Sequence, residues 1–419
     1  MSQIGVNHGF AKRHYPARMR KHDKDHIKRR DFLRRGSHAL ATFFAGSHAP
    51  ALLAAETISA SALFAELPGE LLPPDANGLR LPAGFRSRVI AHTGRTVLPG
   101  SSYIWHKSPD GGACYAAADG GWVYVSNSEV KVSDGGGGVG AVRFDAQGNI
   151  LAAYPILQKS DNNCAGGKTP WQTWLSCEEV DRGRVHECDP FGSSAAVVRP
   201  ALGRFKHEAV AVDTDNGHLY LTEDETDGCL YRFIPSQPLT ALEAGQLEVA
   251  EAVEKDGTVQ LVWHAVPDPQ AATTATRHQV DKATHFNGGE GIAFHAGLIH
   301  FTSKGDNRVW RLDTRRQQLE VLYDVKTAAA PHLSGVDNVT ITASGDVLVA
   351  EDGGDMQIVL LAPNGIVLPI VQIVGQDESE ICGPAFDPSF QRLYFSSQTG
   401  PLNLDSDGIT YEISRMVRV

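Results

Sequence analysis

Cys164, Glu178, Glu179, Glu208, Glu223, Glu290, Asp337, Asn338 and Glu351 are the side chains of this 419-residue chain best suited to hold metal ions. They sit at the ends of short alternating apolar runs. Calcium draws six to eight oxygen ligands from such scattered carboxylates and amides. A thiolate in the same set draws a softer transition metal. Carboxylates gathered in a poorly solvated space either retain protons at raised pKa or recruit cations. A single acid at a strand end is as well explained as a solvated turn residue; a recurring set is not.

The recurrence also indicates what must position these residues. An apolar strand ending in a polar, usually acidic cluster comes round at 121–129 (GWVYVSNSE), 172–179 (QTWLSCEE), 217–225 (GHLYLTEDE), 297–307 (GLIHFTSKGDN), 345–355 (GDVLVAEDGGD) and 391–400 (QRLYFSSQTG). The copies start roughly 45 to 50 residues apart, with one longer gap after the third, a period typical of propeller blades. An upstream half precedes each later copy, at Glu208–Asp213, Glu290–His295, Asn338–Thr342 and Cys382–Asp387. Aligning these halves puts Glu208, Glu290, Asn338 and Cys382 at one position, with Cys164 within a residue or two. Antiparallel pairing then sets Glu208 near Glu223 to Glu225, Asn338 near Glu351 and Asp352, and Cys164 near Glu178 and Glu179. The expectation is an all-β, six-bladed β-propeller spanning 66–419 as one domain, with a central metal-binding funnel. The segment from Thr240 to Asp281 reads as an elaborated loop within it.

Charge divides the chain in two. Residues 1–65 carry eleven Lys and Arg against Asp23, Asp25, Asp31 and Glu56, or +7; the whole chain is −11, leaving −18 for the rest. So acidic a body argues against nucleic-acid binding, which requires clustered positive charge. Lys28-Arg29-Arg30-Asp31-Phe32-Leu33-Arg34 matches the twin-arginine export pattern, and a weakly apolar stretch to Ala65 follows. That stretch is too short and interrupted for a spanning helix. The reading is a twin-arginine signal peptide over 1–65, a translocase as partner during export, and a periplasmic or secreted monomer. The six cysteines show no CxxC or Cys/His zinc spacing; Cys177 and Cys188 are close enough to pair. The Gly135–Gly140 run lacks the Gly-Lys-Ser/Thr of a phosphate loop, and no GxSxG elbow occurs.

Several motifs resemble the PhoX-type bacterial alkaline phosphatases. They are Asn163-Cys164-Ala165-Gly166-Gly167, Thr169-Pro170-Trp171 through Cys177-Glu178-Glu179, Arg204 through Ala209, Tyr220 through Glu225, Cys229 through Pro235 and Gly288 through Ile292. The resemblance implies twin-arginine export, a six-bladed propeller, and hydrolysis of phosphate esters with Fe3+ and Ca2+ in the funnel. It makes Cys164 the iron-ligating thiolate, with Glu178 or Glu179, Glu208, Glu223 and Glu290 as matching carboxylates; Asp337, Asn338 and Glu351 are further candidates. Lys168, Arg204, Lys206, His207, Lys304 and Arg308 are the positive groups near these motifs. The first copy departs, reading Asn127-Ser128-Glu129 where family members often carry Asn-His-Glu. The function expected is a metal-dependent phosphatase acting on phosphate monoesters. The alternatives are a calcium-dependent lactonase of the gluconolactonase and paraoxonase kind, and a non-catalytic binding scaffold.

Overall fold

Each of the six recurrent segments forms a strand: Trp122–Ser128, Trp174–Glu178, Leu219–Glu223, Leu298–Ser303, Val347–Glu351 and Arg392–Ser397. The computed structural model describes residues 62–237, 242–328 and 332–416. The twin-arginine motif at Lys28–Arg34 lies outside the described residues. Among those described, no helix is long and apolar enough to cross a membrane.

Each recurrent strand pairs antiparallel with an upstream inner strand: Pro109–Ala116, Asn163–Lys168, His207–Val212, Gly289–His295, Val336–Ile341 and Ile381–Phe386. Each inner strand packs against the next, and the sixth packs against the first, so the inner strands enclose one channel. The result is an all-β, propeller-like arrangement.

Four separate sheets have four or five strands, and a fifth has ten strands with inner strands at both ends. The six blades read from the repeats are therefore not six separate sheets. The departure arises in the expected loop at Thr240–Asp281, much of which is a long hairpin. Gly245–Lys255 pairs with Thr258–Ala265, and the latter continues onto Gln318–Asp324 through Val259↔Leu319 and Gln260↔Gln318. Leu247 and Val249 on one face and Ala250 and Leu261 on the other are buried in two neighbouring cores, which makes this hairpin sheet instead of loop.

Closure involves a segment far away in sequence. Phe85–His92 pairs with Ile409–Arg415 on the outer side of the last sheet, and Leu79–Arg80 pairs with Val367–Ile373 on the sheet before it. Leu63 and Phe64, on the leader side of the boundary expected at 65, are buried in the same core; Phe64 stacks on Phe85 at 5.6 Å.

The apolar core fills the spaces between neighbouring sheets. Leu175, Cys177 and Val185 of the second sheet meet Val210, Leu219 and Tyr231 of the next. Trp122, Tyr124 and Phe144 of the first meet Ala385 and Tyr394 of the last. Sheets covered on both faces explain why Trp122–Ser128, Leu219–Glu223 and Val347–Glu351 are buried along their whole length. All six cysteines are free thiols, Cys177 and Cys188 included.

The inner strands approach one another closely where side chains are small. A Cβ on Gly111 would lie 2.5 Å from the Ala165 Cα, and one on Gly291 would lie 2.6 Å from the Asn338 Cα. Both obstacles are backbone, which cannot swing aside. Gly291→Ala is therefore expected to destabilise the fold by about 2 kcal/mol or more, an overpacking effect. Thermal and urea denaturation measure it, and an unchanged midpoint would show that the strands can separate there.

Candidate metal centre

All six inner strands carry a register shift near their start, between the first and fourth residues in five of them and between the second and fifth in the last. The second residues of these strands are Asp110, Cys164, Glu208, Glu290, Asp337 and Cys382. The six irregularities thus put six donor side chains at one level of the channel. Facing them are the residues that immediately follow the recurrent strands: Glu129, Glu179, Asp224, Lys304, Asp352 and Gln398. Glu380, one residue before the sixth inner strand, completes a continuous belt.

Neighbouring members overlap as metal-capable groups whose donor atoms lie within 4.8 Å of one another. The groups are Asp110, Glu129 and Cys164; Cys164, Glu179 and Glu208; Glu208, Glu290 and Asp337; Asp337, Asp352 and Glu380; and Asp110, Glu380 and Cys382. The Cys164 thiol donates to Glu208 Oε1 at 3.4 Å. Lys206 Nζ bridges Glu179 at 2.9 Å and Asp224 at 2.7 Å. Lys304 Nζ reaches Glu290 at 3.1 Å, Asp352 at 3.0 Å and Asp337 at 3.7 Å. Gln398 Nε2 donates to Asp110 at 2.7 Å and Glu129 at 2.6 Å, and Asn162 holds the other Glu129 oxygen at 2.9 Å.

Two lysines cannot neutralise Asp110, Glu129, Glu179, Glu208, Asp224, Glu290, Asp337, Asp352 and Glu380 together. Burial, reinforced by the Glu129 and Asp337 charges, raises the Asp110 pKa to about 8. Burial also raises Asp337 to about 6 against the pull of Lys304. Glu179, Glu208, Glu290 and Glu380 are pushed well above the carboxylate range by burial and then by neighbouring acids. The Cys164 and Cys382 thiols rise for the same reasons. Asp224 alone goes down: Lys206 overcomes its burial. Glu208 Oε2 is buried with no hydrogen-bond partner among the described residues. An orphaned carboxylate oxygen amid hard oxygen donors and a thiol fits a bound cation well.

Of the residues singled out from sequence, Cys164, Glu179, Glu208, Glu290 and Asp337 meet in this belt. Asn338 is one residue further along, bonding the Gly383 amide and the Asp337 carboxylate and so bracing two belt strands. Glu178, Glu223 and Glu351 turn the other way. Each is the last residue of its recurrent strand, and successive side chains of a strand take opposite sides. Glu178 binds Arg184 at 2.8 Å and His186 at 2.9 Å, contacts that override its burial and bring its pKa to about 2. Glu223 accepts from Tyr231, Arg277 and the Cys229 amide, and Glu351 from the amides of Ser334 and Gln357. Burial nonetheless raises both to about 7. These three brace their own sheets. Ser128, at the departure in the first copy, also turns aside to bond the Lys107 carbonyl, while Glu129 joins the belt.

Among the positive candidates, Lys206 and Lys304 enter the belt and the others do not. Arg204 binds the Arg182 carbonyl, His207 the Gly203 carbonyl, Arg308 the acids Asp306 and Asp324, and Lys168 the Cys114 carbonyl. The sequence placed Cys382 at the shared strand position and Asp352 beside Asn338 without marking them as ligands, and Asp110, Glu129 and Glu380 were missed as donors. The Cys382 alignment was the available signal for Asp110, to which its register extends backward.

The sequence model of the alkaline phosphatase PhoX family matches residues 153–188 and 180–400. No curated protein sequence matches the chain. Among solved structures, PhoX from Pseudomonas fluorescens, in complex with the transition-state analogue vanadate, superposes with a TM-score of 0.67 at 17% identity, covering 84% of this chain and 98% of that one. A gluconolactonase from Xanthomonas campestris reaches a TM-score of 0.47 at 14% identity over 84% of this chain and 99% of its own, too loose a likeness to carry an argument.

The opposed directions of Glu178 and Glu179 predict opposite phenotypes. Glu179→Gln is expected to lower bound metal while leaving the melting temperature of the stripped protein nearly unchanged. Glu178→Gln is expected to keep the metal but lose about 1.5 kcal/mol of stability, as for weakened charge-assisted hydrogen bonds to a half-exposed arginine. Elemental analysis beside denaturation separates them, and exchanged phenotypes would refute the assignment.

The raised carboxyl pKa values fix the sign of a pH effect. Above the unfolded value of about 4, the folded belt binds more protons than the unfolded chain, so stability falls as pH rises through about 6 for Asp337 and about 8 for Asp110. The depressed Glu178 acts oppositely only below about 4.5, and His106, His207 and His300, which burial lowers to about 3, 4 and 4, act oppositely below about 6.5, offsetting part of the effect of the more numerous raised acids. Chelator-stripped protein should therefore melt lower at pH 8 than at pH 5, and added calcium should reduce the difference. A melting temperature that rises over this interval without metal would contradict the electrostatics.

Proposed function

The chain belongs to the PhoX alkaline phosphatase family and is a phosphatase; we propose that it cleaves phosphate monoesters at the belt of acids and thiols, with Fe3+ and Ca2+ as cofactors. The observation that carries this reading is the overlap of donor groups around the channel, since one cation alone would leave most of these buried acids uncompensated. Cys164, Glu179 and Glu208 would hold iron, their thiol favouring the softer metal. Glu208, Glu290 and Asp337, and then Asp337, Asp352 and Glu380, would hold calcium through oxygen alone. Such cations neutralise phosphoryl oxygens and lower the pKa of a water. Lys206 and Lys304, each held by at least two belt acids, present the positive edge against which a phosphate group is oriented. Glu129, fixed by Asn162 and Gln398, keeps its acid in place beside Cys164 without the histidine that relatives often carry before it. The thiol-bearing corners favour this reading over an oxygen-only calcium lactonase.

In the same reading the ten-stranded sheet is two blades joined at their outer edges, which makes six. The twin-arginine leader takes the folded, metal-loaded monomer to the periplasm. Cleavage of the leader falls before Leu63, because Leu63 and Phe64 are part of the core.

The test is p-nitrophenyl phosphate hydrolysis together with iron and calcium content, on protein exported in its native host and purified without chelator. Cys164→Ser is expected to lose iron and to lower kcat/KM by roughly a hundredfold or more, the scale of a disturbed metal ligand. Full hydrolysis by protein containing calcium but no iron would overturn the mixed-metal centre. Hydrolysis of lactones but not of phosphate esters would overturn the substrate class.

A further inference from the structure

A large cavity, about 690 Å³, lies at the other end of the channel from the acid belt. That volume is within the usual range for small-molecule sites. Its walls come from the later residues of the same inner strands, beyond the constriction where Gly111, Ala165, Ala209, Gly291, Asn338 and Gly383 close in. Cys164 and Lys168 mark the two ends on one strand, four residues and roughly 13 Å apart by strand rise. A molecule held at the Lys168 end is thus separate from the metals proposed for the belt.

The two ends have opposite chemistry. Where the belt is acidic, the cavity is lined by Val212, Ile292, Phe294, Ile341, Phe386 and Phe390, and no carboxylate is among its lining residues. Lys168, His295 and the Cys114 thiol are its ionisable members among the described residues. Lys168 Nζ donates to the Cys114 carbonyl at 2.6 Å and lies 5.0 Å from the centre of the Tyr115 ring. Among the described residues, Lys168 forms no ion pair within 4.0 Å, whereas Lys206 and Lys304 each form at least two. The Lys168 side chain keeps an exposed surface, and burial of the rest of it lowers its pKa. A fixed carbonyl and a ring face thus hold one unneutralised cation at an apolar wall.

We propose that this end of the channel binds an amphiphilic monoanion of the medium-chain carboxylate class, its carboxylate on Lys168 Nζ and its apolar body along Ile292, Phe294, Ile341 and Phe386. Charge complementarity selects the occupant. One ammonium among apolar walls matches a single negative charge on an apolar body. Inorganic phosphate would bring more negative charge than the one lysine matches, and it has no apolar body for the aliphatic and aromatic wall. A neutral alkyl chain would leave the ammonium as it is.

Isothermal titration of the metal-loaded, full-length protein with decanoate, decanol and inorganic phosphate tests this. Decanoate is expected to bind saturably, one per chain, and more tightly than decanol. Lys168→Met is expected to weaken decanoate by roughly tenfold or more, as for a lost charge-assisted hydrogen bond. Lys168→Arg is expected to retain most of the affinity, and Cys164→Ser all of it. Absence of saturable binding to the wild type would overturn the proposal, as would a Lys168→Met affinity equal to wild type. Decanol binding as tightly as decanoate, or phosphate displacing decanoate at equal concentration, would also overturn it.

Discussion

Mutual repulsion among buried carboxylates is the constraint around which this molecule is arranged. Glu208 shows it most plainly: one oxygen accepts from the Cys164 thiol, the other is buried without a partner among the described residues, and burial first, then Glu290, Glu179, Asp337 and Asp110, raise its pKa. Such a residue is tolerable when protonated or when paired with a cation. The rest of the fold keeps it from relaxing away. Small residues bring the inner strands within backbone contact, and each inner strand carries a register shift near its belt residue. Apolar clusters between neighbouring sheets hold each wall of the channel against the next. Pairing of Phe85–His92 with Ile409–Arg415 and the contact between the first and last inner strands close the ring. The energy that holds the acids together is thus supplied by burial elsewhere, as expected where function demands local frustration.

Much of this was legible in the sequence because the repeats preserve register. The recurrent strands declared themselves by alternation and by their acidic ends. Alignment of the upstream halves brought Glu208, Glu290 and Cys382 to one level. Antiparallel pairing then pointed correctly to the neighbourhood of Glu179. The remaining errors come from a parity of one residue. Glu178 and Glu179 are adjacent in sequence and on opposite sides of a strand end, and no composition or period distinguishes the brace from the belt member. The same parity separates Glu223 from Asp224, Glu351 from Asp352, and Asn338 from Asp337. Asp110 was hidden because the first inner strand opens with Pro109 and two glycines, which resemble a turn. The hairpin at Gly245–Ala265 was hidden because Glu and Lys interrupt its apolar residues, and the strand that closes the last sheet because its partner lies more than three hundred residues away.

One set of inner strands builds two dissimilar surfaces. At the second residue they carry carboxylates and thiols; a few residues later they carry aliphatic and aromatic side chains with one lysine. The constriction of small residues between them keeps the two chemistries apart, so a charge held at one end need not be neutralised at the other. Lys206 and Lys304 are tied to belt acids, whereas among the described residues Lys168 bonds a carbonyl and faces an aromatic ring without an ion pair.

The account stands or falls on where cations sit. Crystals of the natively metallated protein, measured with anomalous scattering at the iron absorption edge, would locate them directly. An iron peak within bonding distance of Cys164 Sγ, with further density between Glu208, Glu290 and Asp337, is the predicted result. A belt that holds no metal, with Cys164 still bonded to Glu208 and the iron elsewhere or absent, would contradict the account.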